Sequence, residues 1–248
     1  MNNNEVYDNL CNKFEQLNEN DKNVLLIYKS ALSYHINEIS LISDIENKDS
    51  IEIFDCLKNR DEFIQRFKEY KNILEQPENF FIRYSIFSSI NFENIVSFIA
   101  SLKKIYDRII KLFDKIKLTE SCLLYRGFSY DTSNIFLAKG NIVSTSLSIE
   151  SVEDFLFYSK NSVLYELSLN KNVNVLVIPY SIKRIKKNNK IFLKIEKNDS
   201  QKEVILFKPE LFFELKNKKY FEEDNLTVEK YNVFSKNEKN NKLGVKNR

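Results

Sequence analysis

Residues 95–127 read IVSFIASLKKIYDRIIKLFDKIKLTESCLLYRG, and the spacing of the apolar residues changes within this stretch. From Ile95 to Ile116 they recur every three or four positions, which is the period of one face of an amphipathic helix. After Thr119 the period drops to two, which is the pattern of a strand with alternating faces. The stretch therefore predicts a helix that leads directly into the first strand of a β-rich region.

Helical spacing extends from this junction toward the N-terminus, back to about Asp21. Apolar stripes over Val24–Ile39 and Phe63–Leu74 indicate helices, and the helix of the junction is predicted to begin after Asn91, a residue type that often caps helices. A strand pattern recurs toward the C-terminus, at Leu123–Arg126, Val163–Leu169, Val173–Ile178, Ile191–Ile195, Val204–Phe207, Leu211–Leu215 and Thr227–Phe234. One short helix, Ser148–Tyr158, is predicted between these strands because capping serines precede acidic residues there.

This order of elements predicts an α+β protein in which an N-terminal helical segment packs on a mixed β-sandwich core. We expect one domain, because the connection at Leu118–Ser121 is short and lacks the composition of a flexible linker. The expected organisation is a lead-in over residues 1–20, a domain over 21–235 with a helical part (21–118) and a β-rich part (119–235), and a disordered polar tail over 236–248.

Composition excludes several classes of protein. The chain of 248 residues has a net charge of +3, with 29% of its residues charged and both signs mixed, which argues against a dedicated nucleic-acid clamp. We interpret the basic run Lys183–Lys187 as a solvated charged turn. The sequence contains no apolar stretch long enough for a membrane span and no basic start followed by an apolar run, so we expect a soluble protein without membrane insertion or a standard export signal.

Few side chains are suited to binding a metal. His35 is the single histidine, which excludes a site built from several histidines, and we interpret it as a packed residue of a helical stripe. Cys11, Cys56 and Cys122 form no CxxC motif, so neither a zinc site nor a disulfide framework is predicted. We expect reduced, mostly buried thiols and no bound metal.

Three short motifs follow one another in the β-rich half. They are Leu124-Tyr125-Arg126-Gly127 on the first strand, Val143-Ser144-Thr145-Ser146 on another, and Gln201-Lys202-Glu203-Val204-Ile205-Leu206 at the start of a later one. Each motif alone occurs by chance in many chains. Their order and their flanking patterns carry the information.

In this order the motifs resemble the R-S-E class of mono-ADP-ribosyltransferases, in its C3-like exoenzyme branch and in a Q-x-E variant. The likeness extends to the early helix around Tyr28-Lys29-Ser30 and Ile36-Asn37 and to the long helix Ile95–Ile116 before the arginine strand. It covers about residues 20 to 235. It implies a core of the ADP-ribosyltransferase type and a glycosyltransferase activity that cleaves the nicotinamide–ribose bond of NAD+ and transfers ADP-ribose to a macromolecule.

The resemblance implies a role for each matching residue, and chemistry supports these roles. Glu203 is the expected catalytic carboxylate: nicotinamide leaves from a cationic substrate, so one carboxylate that stabilises the oxocarbenium-like transition state suffices. Arg126 is expected to bind the pyrophosphate, because a guanidinium fork matches phosphate oxygens. Ser144 is expected to hold Glu203 by a hydrogen bond. The other expected contacts of NAD+ are Tyr125, Gly127, Thr145, Ser146 and either Phe155 or Phe157.

Gln201 is expected to select the acceptor. It stands two residues before Glu203, so on an extended segment both side chains point into the same cleft. In the resembled family, glutamine at this place accompanies asparagine or glutamine acceptors of Rho-type GTPases, or guanine in a DNA-modifying branch, whereas glutamate accompanies arginine. The resemblance thus implies an asparagine or glutamine of a host protein, such as a Rho-like GTPase, and a toxin or effector that acts as a monomer.

The sequence leaves other interpretations open. These are modification of guanine in nucleic acid or of protein arginine, hydrolysis of NAD+ without an acceptor, and a non-catalytic binding module with this fold. Export or delivery to a host cytosol by a non-classical route also stays open.

Overall fold

The computed structural model describes residues 3–129, 141–153, 156, 162–188, 190–197 and 202–237, without the side chains of residues 128 and 129. Its helices, α1 to α8, are Asn3–Glu15, Glu19–Tyr28, Ser33–Ser40, Ser50–Cys56, Arg60–Leu74, Phe80–Ser85, Ile95–Phe113 and Glu150–Glu153. Its strands, β1 to β9, are Cys122–Ser129, Ile142–Ser146, Ser162–Leu169, Leu176–Val177, Tyr180–Lys187, Lys190–Lys197, Glu203–Phe207, Leu211–Phe221 and Leu226–Ser235. These elements confirm the expected α+β class.

Of the described strands, seven form one mixed sheet in the order β4-β7-β2-β1-β3-β9-β8. Neighbouring strands are antiparallel except β3 and β9, which run parallel. The apolar residues of β7, Val204 to Leu206, are almost completely buried, as expected for a strand covered on both faces. Strands β5 and β6 form a separate two-stranded sheet.

The chain folds into two compact units. The first contains Met1–Gln16, Leu112–Pro179 and Asp199–Arg248, and it combines α1 and α8 with the seven-stranded sheet. The second contains Leu17–Lys111 and Tyr180–Asn198, and it combines α2 to α6 and most of α7 with the β5–β6 hairpin. The units therefore do not follow chain order, because α1 groups with the sheet and the hairpin groups with the helices.

The N-terminal region differs from the sequence prediction in two places. The expected lead-in contains α1, whose buried face consists of Val6, Tyr7, Leu10 and Phe14. The stripe Val24–Ile39 is divided into α2 and α3, because Ser30 Oγ donates to the Ile27 carbonyl at 2.6 Å and accepts from the Leu32 amide at 3.1 Å. A serine that bonds nearby backbone groups in this way competes with helix hydrogen bonding.

The junction helix α7 begins later than the sequence suggested. Its cap is Asn94 rather than Asn91, because Asn94 Oδ1 accepts a hydrogen bond from the Ser97 amide at 2.9 Å. Asn91 Oδ1 instead accepts from the Glu93 amide in the preceding turn, at 2.8 Å. The predicted apolar face of α7 is confirmed, and its buried residues are Phe98, Ile99, Leu102, Ile105, Tyr106, Ile109, Leu112 and Phe113.

The basic run Lys183–Lys187 is not a turn. It belongs to β5, which pairs with β6 from Tyr180↔Lys197 to Lys187↔Lys190. The apolar residues Ile182 and Ile185 are three positions apart, so they do not show the period of two that marks a strand. The spacing of apolar residues that predicted the other strands therefore did not predict β5.

His35 lies in an aromatic cluster of the second unit. Its ring contacts Phe63 and Phe98 edge to face, with centroid distances of 4.5 and 5.2 Å, and its Nε2 donates to the Phe63 carbonyl at 3.1 Å. Among the described residues, no hydrogen-bond partner reaches its Nδ1. Burial, with a smaller contribution from Arg66, lowers the pKa of His35 to about 4. The expectation of a packed structural histidine is confirmed.

Gly127 allows α8 to approach β1. A Cβ atom at this position would lie 2.8 Å from the Val152 carbonyl oxygen and 3.1 Å from Leu156 Cδ2. Val152 and Leu156 form a small apolar cluster with Leu164, against which Tyr125 packs. Because the nearest atom is backbone, a side chain cannot simply push it aside.

We expect acid to destabilise the protein through His35. The pKa of this histidine is lowered from 6.5 to about 4 in the folded chain, so the unfolded chain binds the proton first as the pH falls. The free energy of unfolding should therefore fall between pH 6.5 and pH 4, by about 3 kcal/mol in total. Urea unfolding across this range measures the loss, which His35→Gln should remove. An equal loss in His35→Gln would assign it to other groups.

Gly127→Ala should destabilise the first unit by about 1 to 3 kcal/mol, because the added methyl group overlaps the Val152 carbonyl. The matched control is Ser168→Ala, at an exposed position of the neighbouring strand β3, and it should change stability by less than about 0.5 kcal/mol. Thermal and urea unfolding of both variants test this. Equal stability of the two would show that α8 moves away at little cost.

Candidate active site

The three sequence motifs lie on three adjacent strands. The order β7-β2-β1 places Glu203 on one strand, Ser144 on the next and Arg126 on the third. Strand β2 pairs with β7 from Ile142↔Phe207 to Ser146↔Glu203. The sheet thus brings together motifs that are far apart in the sequence.

Ser144 Oγ donates a hydrogen bond to Glu203 Oε1. Ser146 lies directly opposite Glu203 in the ladder, and Ser144 is two residues along the same strand, so both serines share the face of the carboxylate. Glu203 is only 6% exposed, and a carboxylate this buried needs hydrogen-bond donors. The hydrogen bond predicted between Ser144 and Glu203 is therefore present.

Arg126 is connected to the same serine by a different atom. Its Nη1 donates to the main-chain carbonyl of Ser144, and its side chain is half-buried. Successive side chains of a strand point to opposite faces, so the side chain of Arg126 leaves β1 on the face opposite to that of Tyr125. Its guanidinium nevertheless reaches the main chain of β2. Within the described parts of the two strands, β1 and β2 pair at one position, Tyr125↔Ser146. Arg126 thus lies next to the one described β1–β2 pair, and on its other side it is paired with Tyr165 of β3.

The other serine and threonine of the second motif have structural contacts. Thr145 is buried, and its Oγ1 donates to the Val204 carbonyl at 2.6 Å. Ser146 Oγ accepts from the Ser148 amide at 3.0 Å and so shapes the turn that follows β2. Both residues support the strand pair that holds Ser144, and their expected contact with NAD+ stays a prediction.

Tyr125 and Gly127 lie beside α8. Burial, followed by the charges of Glu166 and Glu150, raises the pKa of Tyr125. For Gly127 we expected a close approach by a ligand, and among the described residues the close approach is made by the backbone of α8. Phe155 and Phe157 lie outside the described residues, as does most of the predicted helix beyond Glu153.

The backbone just before Glu203 is not extended. Lys202 has φ of 39°, in the left-handed region that non-glycine residues rarely adopt. The sequence prediction that Gln201 and Glu203 share a face requires an extended segment, and the backbone is not extended at Lys202. Gln201 itself lies outside the described residues, so its expected role stays a prediction. Strained residues of this kind cluster at functional sites.

The first helix braces this strained segment. Asn3 Nδ2 donates to the Leu147 carbonyl at 3.0 Å, and Lys202 Nζ donates to Asn4 Oδ1. The Leu147 amide in turn donates to the Lys202 carbonyl at 3.2 Å. The end of the second motif and the start of the third are therefore held against the N-terminus of α1. Sequence patterns gave no signal for these contacts, because α1 was not predicted.

Lys208 is a second cation near Arg126 that sequence reasoning missed. It directly follows β7, and its amide donates to the Asn141 carbonyl at 2.8 Å. Burial and then the positive charge of Arg126 lower the pKa of Lys208. Its signal in the sequence was a basic residue placed just after the strand that begins with Glu203.

The structure also gives information on metals, cysteines and membranes. In the described ranges, no cluster of three or more His, Cys, Asp or Glu side chains is arranged to hold a metal ion. The three cysteines all lie in the described ranges and form no disulfide. Cys122 is buried, Cys11 is partly buried and Cys56 is exposed, so the expectation of mostly buried thiols was wrong. None of the described helices has the length and apolar character to cross a bilayer.

Solved structures of known proteins resemble this chain over most of its length. No protein-family model and no curated protein sequence matches it. Plx2a, an ADP-ribosyltransferase toxin from Paenibacillus larvae, has a TM-score of 0.53 and 15% identity, covering 94% of each chain. The C3 exoenzyme of Clostridium limosum has a TM-score of 0.50 and 14% identity, covering 94% of this chain and 95% of its own.

An ADP-ribosyltransferase from Clostridium botulinum has a TM-score of 0.50 and 11% identity, covering 94% of this chain and 96% of its own. At such identities the likeness concerns the path of the chain and not the chemistry of the site. The arrangement of helices and mixed sheet expected from the sequence is nevertheless the one these proteins have. The chain thus has the α+β fold of the C3-like ADP-ribosyltransferases.

Proposed function

We propose that this protein is a mono-ADP-ribosyltransferase that cleaves NAD+ and transfers ADP-ribose to a protein side chain. The observation that carries the proposal is the hydrogen bond from Ser144 to the buried carboxylate of Glu203, made beside Arg126. A buried glutamate held by one serine, next to a half-buried arginine, provides a negative group for a sugar cation and a positive group for a phosphate. This is the combination that NAD+ requires.

Glu203 performs the chemical step in this proposal. The C1′–N bond of the nicotinamide riboside breaks, and its electron pair leaves with nicotinamide, which becomes neutral. The ribose C1′ gains positive charge, and the carboxylate stabilises this charge while it accepts a hydrogen bond from the ribose 2′-OH. An acceptor atom then bonds to C1′ and its proton passes to solvent. Ser144 keeps the carboxylate in position, so little reorganisation is needed.

Arg126 holds the pyrophosphate of NAD+ in this proposal, and Lys208 adds a second positive charge beside it. Burial, and then repulsion by Arg126, lowers the pKa of Lys208, and an anion bound next to the two cations relieves this repulsion. Thr145 and Ser146 border the nicotinamide pocket, and Tyr125 and Phe155 provide aromatic contacts to the cofactor.

The acceptor in this proposal is a neutral amide, in the side chain of asparagine or glutamine. Gln201 lies near the catalytic carboxylate in sequence, and a neutral amide there suits a neutral acceptor better than a cationic one. The fold shared with Plx2a, whose name describes a toxin, supports a toxin or effector role. A Rho-like GTPase is the proposed target class, and the free protein is proposed to act as a monomer.

Glu203→Gln should lower nicotinamide release from NAD+ by roughly 100- to 1000-fold, because the variant keeps the shape and loses the charge. Ser144→Ala should cost less, about 10- to 100-fold, since it removes one hydrogen bond to the carboxylate. Steady-state release of nicotinamide, measured by chromatography, gives both values.

The matched control for Glu203→Gln is Glu214→Gln. Glu214 is ion-paired with Lys216 on β8, at the far edge of the same sheet. This change should leave the release rate within about twofold, as surface substitutions away from a site commonly do. Release that persists at the wild-type rate in Glu203→Gln would contradict the mechanism. Absence of any release in the wild type would favour a non-catalytic binding module.

Gln201→Ala should abolish transfer to protein and spare hydrolysis of NAD+, because it changes the acceptor contact and leaves the Ser144–Glu203 pair in place. The measurement uses labelled NAD+ with a cell lysate, followed by mass spectrometry of the labelled product. Parallel loss of transfer and hydrolysis would contradict an acceptor role for Gln201. A label that nuclease removes would identify guanine in nucleic acid as the acceptor, and a label on arginine would contradict the amide acceptor.

A further inference from the structure

Positive charge is concentrated in the β5–β6 hairpin. Seven basic residues and one acidic residue, Glu196, lie between Tyr180 and Lys197, so this segment alone carries a charge of about +6 by simple counting. The whole chain carries only +3, which means that the rest of the chain is net negative. The weak net charge of the protein therefore hides a strongly cationic segment.

One face of the hairpin collects lysines in opposed pairs. The antiparallel register pairs Lys183 with Lys194 and Lys187 with Lys190, and between these pairs Ile185 lies opposite Phe192. Alternate cross-strand pairs project to the same side of a two-stranded sheet. We call this set the lysine face; it consists of Lys183, Ile185, Lys187, Lys190, Phe192 and Lys194.

The lysine face costs the hairpin stability. Like charges directly opposite each other in a sheet repel. Glu196 offsets one pair by contacting Lys183 at 2.8 Å and Lys194 at 3.0 Å, and Glu78 contacts Lys190. Lys187 makes no ion pair within the described part of the chain, and Ile185 is 41% exposed between the charged pairs. An anionic partner would relieve the repulsion and cover the exposed isoleucine.

Exposed aromatic residues stand beside the hairpin. The side chain of Asn79 hydrogen-bonds the free edge of β6, donating to the Ile191 carbonyl and accepting from the Leu193 amide, each at 2.8 Å. Helix α6 begins at the next residue, and its Phe80 and Phe81 are 63% and 76% exposed. Large apolar side chains are therefore presented to solvent next to a row of lysines.

We propose that the lysine face, with Phe80 and Phe81, binds peripherally to the surface of a bilayer that contains anionic phospholipids. Lysines attract the headgroups, while isoleucine and phenylalanine side chains enter the boundary between headgroups and acyl chains. We favour lipid over nucleic acid because the exposed residue at the centre of the face, Ile185, is aliphatic and cannot stack on bases, and because lysine lacks the planar fork of arginine. Phe192, Phe80 and Phe81 can stack on bases, so binding of nucleic acid is one outcome of the test. Such binding needs no membrane-spanning helix.

The test is cosedimentation of the full chain with phosphatidylcholine vesicles that contain or lack phosphatidylserine, at low and at high salt. The wild type should bind only the anionic vesicles, and salt should weaken binding. Each lysine near an anionic surface strengthens binding by roughly fivefold, so Lys187→Gln with Lys194→Gln should weaken it by roughly 25-fold. Phe80→Ser with Phe81→Ser should also weaken binding, but with little change in its salt dependence.

The melting temperature of the lysine variant distinguishes a loss of vesicle binding from misfolding. The variant removes one charge from each opposed pair, and Lys183 keeps its contact with Glu196, so its melting temperature should stay close to that of the wild type while its vesicle binding falls. The matched control, Lys216→Gln with Lys219→Gln on β8, removes the same charge from another strand and should bind like the wild type.

Three outcomes would overturn the proposal. The first is that the wild type fails to bind anionic vesicles at low salt. The second is that the control loses as much binding as the lysine variant. The third is that duplex DNA and RNA bind the lysine face more tightly than vesicles do, and independently of Phe80 and Phe81. The last result would assign the face to nucleic acid. NAD+ cleavage in solution should be the same in all these variants, so a failure here is separate from a failure of the proposed enzymatic activity.

Discussion

The hydrogen bond between Ser144 and Glu203 joins two strands whose residues are 59 positions apart in the sequence. It can form only if β2 lies beside β7, and the sheet places β2 between β7 and β1. The same serine accepts a hydrogen bond from Arg126 through its main-chain carbonyl. One residue in the middle of three strands thus sets the position of both charged groups, and displacement of β2 would separate the carboxylate from the guanidinium.

The surroundings of this serine are arranged to keep β2 in place. Thr145 bonds the main chain of β7, and Ser146 fixes the turn that follows. Helix α1 holds that turn through Asn3 and holds the strained Lys202 through Asn4. A left-handed lysine costs about 1 to 3 kcal/mol, and the neighbouring contacts have to offset this cost. The strained residue precedes Glu203, the proposed catalytic carboxylate, and so sets the direction in which the chain enters β7.

The second unit adds a different kind of constraint. Its helices bury a neutral histidine among aromatic rings, and its hairpin carries charges that repel one another across the strands. The opposed lysines cost the hairpin stability. Packing alone explains the histidine. A negatively charged, partly apolar surface would relieve the repulsion between the opposed lysines and bury the exposed phenylalanines.

The spacing of apolar residues was enough to predict the change from helical to strand period near Thr119 and the long apolar face of α7. Short sequence patterns were enough to identify the three motifs. Prediction failed where local and tertiary signals conflict. Strand β5 was mistaken for a turn because lysines mask its period, and α1 was missed because its apolar face is short. Three features became visible only in the folded chain: Ser144 reaches Glu203, Gly127 faces the backbone of α8, and the lysines stand in opposed pairs. They depend on strand order and register, which are set by contacts between distant residues and cannot be inferred from any one segment of the sequence.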